Sequence, residues 1–358
     1  MTRPRRERAA AIADGAPLVS ADPATVAWLT GVAVDIEWGP SPFSAAPVVV
    51  LSPGGDVTLV VSEDEAPAAG ADVRALTFPG FALEDVDRPQ ALLELTLDAI
   101  GSDGPIVADL HALPGSLVAA LGPGRLRDVR HALQDARAVK DPDEIVAIKA
   151  ATEIADAGQA AARASLRPGA DELSLWTETR AAMERLAQSR LPVLADFVTG
   201  ERTAEVGGPP SGREVGEGDL LLVDLVPRVG SYWADSCATV ALGGPPAAAR
   251  SAHAAALGAL EAAKASIRPG VTAGEVDRAA REVMETAGGY PHHTGHGLGA
   301  TVHEAPRIVP GSAVRLAEGM VIALEPGAYG DDWGVRVEQV VVVTADGCDV
   351  LSGHDLAL

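Results

Sequence analysis

Along the first 135 residues, short runs of β-branched residues alternate with stretches of helical period. PVVVLSPGGDVTLVVS (47–62) reads as two strands around a Pro-Gly-Gly turn, and PIVADLHALPGSLVAAL (105–121) as a strand followed by a helix. This alternation predicts an α/β domain over residues 1–135. Beyond it, Asp141 and Asp143 are placed to cap a long alanine-rich helix that opens a second domain over residues 136–358.

The second domain repeats itself. ARASLRPGADEL (162–173) recurs as AKASIRPGVTAGEV (263–276), an offset of 101 residues from Ser165 to Ser266. Each copy runs on into an amphipathic helix and then a β-hairpin. Two copies are too few for a solenoid and predict a pseudo-two-fold αα–β unit. The first hairpin, DLLLVDLVPRVGSYWADSCATVAL (219–242), turns around Arg228–Ser231 and sets Asp224 roughly opposite Asp235. The second, GMVIALEPGAYGDDWGVRVEQVVVVT (319–344), turns around Gly330–Gly334 and sets Glu325 opposite Glu338. Asp224 and Glu325 are related by the same 101-residue offset.

A carboxylate flanked by LLLV or VIAL is costly to bury unless it is paired or bound to a cation. Four on one axis repel one another, and divalent metal resolves both costs. In PHHTGHGLGATVHEAP (291–306), His296 lies between glycines that let backbone approach closely. Carboxylates with one imidazole suit Mn, Co, Fe or Zn better than Mg or Ca.

Composition narrows the setting. With 47% hydrophobic residues the chain can bury a sizeable core, and a formal net charge of −22 argues against a nucleic-acid partner. Two cysteines, Cys237 and Cys348, make no disulfide framework. The chain shows neither an apolar signal segment nor a membrane-spanning run, so a reducing, cytoplasmic setting is expected.

The set of Asp224 and Asp235, His296 in GHGLG, His303 in VHEAP, Glu325 in LEPGAY and Glu338 in RVEQ resembles the pita-bread metallohydrolases. These include the methionine aminopeptidases, aminopeptidase P, prolidase and creatinase. VSADPATVAWLTGV (19–32) and DARAVKDPDEIVAIKAA (135–151) extend the likeness to the N-terminal domain and the domain junction. The resemblance implies an α/β, creatinase-like N-terminal domain and a C-terminal pita-bread domain. It also implies a homodimer and two divalent metal ions (Mn, Co, Zn or Fe, with Mn favoured). Their ligands would be Asp224, Asp235, His296, Glu325 and Glu338, with Asp235 and Glu338 bridging. Two such cations would share a water, lower its pKa and present hydroxide to a C–N amide bond. By the same resemblance Glu325 shuttles a proton, His292 and His303 contact the substrate, and Arg336 and Tyr329 belong to the site. In EWGPSPF (37–43), Trp38 is a candidate to reach a partner's site.

Several positions depart from the family. Gly207 stands where aminopeptidase P and prolidase carry a histidine, and Ala238 where an arginine is expected. Cys237 replaces a threonine and reads as a small buried residue. Trp233 reads equally as core or as a wall against substrate. His293 reads as a loop bystander, and Glu304 as a residue that orients a ligand from behind. The expected function is Xaa-Pro aminopeptidase- or prolidase-like hydrolysis of a small peptide or amide. The alternatives are a specialised enzyme acting on a non-peptide small molecule, as creatinase and ectoine hydrolase do, and a silent peptide-binding module.

Overall fold

The structure, a computed structural model, describes residues 3–34, 45–64, 66, 72–80, 86–101 and 103–358. It divides into two compact units, Met1–Arg137 and Ala138–Leu358.

The first unit is built on six strands: β1 (Leu18–Ser20), β2 (Val48–Leu51), β3 (Val57–Ser62), β4 (Arg74–Phe78), β5 (Ile106–Ala108) and β6 (Leu126–Asp128). They form one mixed sheet in the order β4-β3-β2-β1-β5-β6. Period-2 alternation sends successive side chains to opposite faces. Leu18, Val49, Leu51, Leu59 and Val107 pack on helices α1 (Arg3–Ala13), α2 (Pro23–Thr30) and α5 (Arg130–Ala138). Val19, Val48, Val50, Val60 and Ile106 pack on α3 (Arg88–Ile100) and α4 (Gly115–Leu121). Both faces are covered, which is why these strands read as continuous apolar runs. Helix α5 spans the boundary expected at residue 135.

The second unit shows the duplication element by element. Helix α6 (Pro142–Ser165) starts at a capping box between Asp141 and Glu144, and helix α7 (Glu172–Ala187) packs beside it. Their counterparts are α8 (Ala247–Ser266) and α9 (Ala273–Met284). The ends of α6 and α8 and the starts of α7 and α9 are each 101 residues apart. The bridges Asp171↔Glu214 and Thr272↔Arg315 keep the same offset. So do the left-handed glycines Gly218 and Gly319, both at φ 85. A single supersecondary unit has been laid down twice.

In the first copy, β7 (Val193–Thr199), β8 (Leu220–Val229) and β10 (Ser236–Ala241) form a sheet in the order β10-β8-β7, and β9 (Tyr232–Trp233) pairs with β8. The second copy supplies β11 (Gly295–Gly297), β12 (Glu304–Ile308), β13 (Val321–Leu324), β16 (Gln339–Val343) and β17 (Cys348–Val350), in the order β12-β11-β13-β16-β17. Strands β14 (Gly327–Tyr329) and β15 (Gly334–Arg336) form a separate ribbon.

Strand β11 lies between β12 and β13, and its glycines are forced by that closeness. A Cβ on Gly295 would stand 2.1 Å from the Ala323 carbonyl oxygen, and one on Gly297 would stand 2.1 Å from that of Ala305. The pair therefore clamps His296 by its backbone on both sides. Gly295→Ala is expected to cost about 1–3 kcal/mol through overpacking, read as a lower urea midpoint for the second unit; an unchanged midpoint would show that the strands part freely.

Candidate functional site

Asp224 sits at the centre of β8. Its partner across the hairpin is Cys237 on β10, and on its other side it faces Asp196 on β7. The expected opposition to Asp235 is therefore displaced by two residues. The hairpin closes over Gly230 and Ser231, because Val229 pairs with Tyr232 and Arg228 with Trp233. Asp235 falls in the break between β9 and β10 and is 4% exposed.

In the second hairpin the expected register holds. Leu324 pairs with Gln339 and Gly327 with Arg336, which leaves Glu325 across from Glu338. The Glu325 amide donates to the Thr294 carbonyl at 2.9 Å, and the Glu338 amide donates to the Cys237 carbonyl at 2.8 Å. The second bond ties one repeat's hairpin to the other's.

His296 turns its Nδ1 to the Gly297 carbonyl at 2.9 Å. With the proton held there, Nε2 is left as the lone-pair donor. It lies 3.5 Å from Asp235 Oδ2 and 3.7 Å from Glu325 Oε1. Ligand atoms of Asp235, His296 and Glu338 all lie within 4.8 Å of one another, and all three residues are buried.

The electrostatics show what this arrangement lacks. Burial, reinforced by Asp235, Asp224 and Glu325, drives the Glu338 carboxyl well above its ordinary 4.5. Burial also raises Asp224 well above its ordinary value, against the pull of Arg336. Burial would raise Glu325 too, but the hydrogen bond from His293 and the charges of His296 and Arg336 hold it at about 2. Burial would lower the His296 imidazole, yet Asp235 and Glu325 outweigh it and raise its pKa. Asp224 Oδ1 and both Glu338 carboxylate oxygens are buried without a hydrogen-bond partner among the described residues. Buried polar groups are normally satisfied. Oxygen atoms left bare beside an imidazole nitrogen are a donor set that fits divalent transition metal.

The surrounding side chains fall into place around this set. Arg336 Nη2 donates to Asp224 Oδ2 at 2.6 Å and to Asp196 Oδ2 at 3.2 Å, while Nη1 donates to the Val206 carbonyl at 2.6 Å and to the Tyr329 hydroxyl at 3.2 Å. The Tyr329 hydroxyl also lies 3.0 Å from His292 Nε2. His303 is exposed, with its ring centroid 4.2 Å from that of His296. His293 is no bystander: its Nε2 is 2.8 Å from Glu325 Oε1, and it clusters with His296 and His303. Its neighbour Arg307 approaches the other ring nitrogen at 3.3 Å.

Glu304 turns from the site to a buried ion pair with Lys140 at 2.9 Å, and it also accepts from the Thr301 amide at 3.0 Å. Cys237 is fully buried, with Sγ 3.9 Å from the Arg336 carbonyl oxygen. Trp233 is 7% exposed and lies under the Arg228 guanidinium at 5.9 Å. Trp38 lies outside the described residues. Asp196, Arg307 and Lys140 were not singled out from sequence, since none has a counterpart in the repeat that identified the four acids.

Residues 146–345 match a family model described as metallopeptidase family M24. A probable dipeptidase PepE of Mycobacterium tuberculosis is 38% identical over 246 residues, covering 66% of this chain and 64% of that protein. The alignment thus spans less than two thirds of that relative. An Xaa-Pro dipeptidase of Pyrococcus furiosus is 28% identical over 318 residues, 88% of this chain and 89% of that one. Among solved structures, the prolidase from Pyrococcus furiosus superposes with a TM-score of 0.78 at 26% identity, covering 95% of this chain and 96% of the other. Dipeptidase PepE from Mycobacterium ulcerans superposes with a TM-score of 0.81 at 28% identity, covering 99% and 96%.

The bare Glu338 carboxylate yields a stability prediction. Its folded pKa is raised, so it favours the metal-free fold only at low pH and opposes it as pH climbs through the folded value. At pH 7.5, Glu338→Gln is expected to stabilise the metal-free protein by about 1–3 kcal/mol and to shrink the rise in melting temperature that added Mn gives the wild type. A metal-free wild type at least as stable as the variant at that pH would refute this.

Proposed function

Because the chain belongs to metallopeptidase family M24, we propose that it is a dinuclear metal-dependent hydrolase of C–N amide bonds, acting on small peptides in the manner of a dipeptidase or prolidase. The observation that carries the reading is the gathering of Asp235, Glu325 and Glu338 around His296, with Asp224 close enough to repel Asp235 and Glu325 and with three oxygen atoms of Asp224 and Glu338 bare. The names of the relatives from Mycobacterium tuberculosis and Pyrococcus furiosus point to the same substrate class.

In this proposal Asp224, Asp235, His296, Glu325 and Glu338 hold two divalent ions, manganese favoured. When bound, such ions supply a water of lowered pKa and polarise the scissile carbonyl. The remaining work falls to this chain's own side chains. Arg336 fixes Asp224 through Oδ2 and leaves Oδ1 free. Glu325, ionised and in contact with His293, is the group that would take the proton released by the attacking water and pass it to the leaving nitrogen. His292, set by the Tyr329 hydroxyl and by the His293 carbonyl at 2.8 Å, and the exposed His303 meet the substrate. A cytoplasmic, homodimeric enzyme belongs to the same proposal. It is supported by two free cysteines and by the absence, among the described residues, of any helix long and apolar enough to cross a membrane.

A second reading, hydrolysis of a non-peptide small molecule, is favoured by Gly207, where the Asp196 carboxylate fills the space a side chain would need. Assays of Xaa-Pro dipeptides and longer Xaa-Pro peptides with added Mn or Co separate the two. Turnover of dipeptides is expected, and failure on every peptide by metal-replete protein would sink the peptidase reading. His303→Ala is expected to cut turnover by about 10²-fold or more, as for loss of a general acid–base group, with bound metal nearly unchanged. His296→Ala should instead lower metal occupancy. Equal metal loss in both variants would show that these roles are misassigned.

A further inference from the structure

Strand β7 is the edge of its sheet and sets Asp196 directly opposite Asp224. Opposed residues of an antiparallel pair share a face, so Asp196 stands on the side of the sheet that carries the candidate metal ligands. It differs from them in access: its side chain is 38% exposed, against 13% for Asp224. The room it occupies exists because residue 207 is glycine. A Cβ there would lie 2.0 Å from Asp196 Oδ2, so a side chain at 207 would push this carboxylate out of its present position.

One guanidinium serves both acids, through terminal nitrogens that are both engaged. Arg336 gives its shorter bond, 2.6 Å, to Asp224 and the longer, 3.2 Å, to Asp196, while the Val206 carbonyl and the Tyr329 hydroxyl take Nη1. Val206 presents that carbonyl from φ 73, a backbone region that a β-branched residue enters only under strain. The loop is held there by Glu172. That buried carboxylate accepts from the Thr199 amide at 2.7 Å and the Ser211 amide at 2.8 Å, and it pairs with Arg202. Thr203 adds a further tie, accepting from the Gly334 amide at 2.7 Å. Arg336 is thus held by four bonds from its terminal nitrogens, and its remaining donor, Nε, is buried out of a substrate carboxylate's reach. Of the two acids that Arg336 holds, Asp196 is the more exposed and the more loosely bonded.

We propose that Asp196 is a specificity-determining residue whose carboxylate receives a basic side chain of the substrate, so that the preferred substrates are dipeptides carrying lysine or arginine and those carrying glutamate are rejected. This rests on the hydrolase reading and names its substrate class.

The test uses the full-length, manganese-loaded protein and dipeptide sets that differ only in lysine, norleucine or glutamate, placed at each of the two positions in turn. At one position kcat/KM for lysine should exceed that for norleucine by about 2- to 5-fold, the scale of a partly exposed ion pair, and added salt should shrink the ratio. In Asp196→Asn, and in Asp196→Ala as a second variant, the ratio should fall to near one with bound manganese unchanged. A wild type without that preference, or variants that retain it, would overturn the inference. Should no dipeptide be turned over, the dipeptidase reading fails by itself. Calorimetric binding of the lysine and norleucine dipeptides to wild type and Asp196→Asn then decides the charge preference alone: tighter lysine binding by the wild type only supports it, and equal binding rejects it.

Discussion

Four carboxylates buried at the centres of apolar hairpins are the constraint around which the second unit is arranged. Removing such groups from water costs more than a hydrophobic strand can return unless each finds a partner. Arg336 partners Asp224, and His293 partners Glu325, but Glu338 has neither hydrogen bond nor ion pair among the described residues. A fold selected for stability alone would place a valine there, as in the run that follows it. The unsatisfied oxygen atoms show that the site is kept at the expense of the metal-free state, a common pattern at functional positions.

Much of this was legible in the sequence, and the reasons are specific. The repeat fixed the correspondence of Asp224 with Glu325, and the structure carries the 101-residue offset through helix starts, bridges and left-handed glycines. The second hairpin's register was readable because its turn is marked by glycines at both ends. The first hairpin misled by two residues. Its Arg-Val-Gly-Ser turn admits more than one closure, and only the two-residue Gly230–Ser231 loop matches the observed pairing. His293 read as a bystander, and Asp196 was missed, for a different reason. Each acts through a contact with a residue far along the chain, Glu325 and Arg336, and no local period or spacing marks such a contact.

Rigidity around the candidate site comes from polar groups that are themselves fully engaged. Glu172 gathers two amides, two hydroxyls and a guanidinium, so the segment from Thr199 to Ser211 is fixed at both ends. Backbone glycines at 295 and 297 let three strands close on one imidazole. The site is thereby assembled on strands and braced loops, which hold reactive groups more accurately than free loops do.

The Lys140–Glu304 pair carries a practical consequence for anyone dividing this chain. Both side chains are almost wholly enclosed, at 1% and 3% exposure, and the Lys140 amide also donates to the Gly319 carbonyl at 2.9 Å. The family match begins only at residue 146. A fragment cut at that point would discard the lysine and take the ion-pair partner from Glu304, one residue from His303. The workable unit for dissecting the catalytic half therefore starts at Ala138, eight residues upstream of where similarity to relatives would place it.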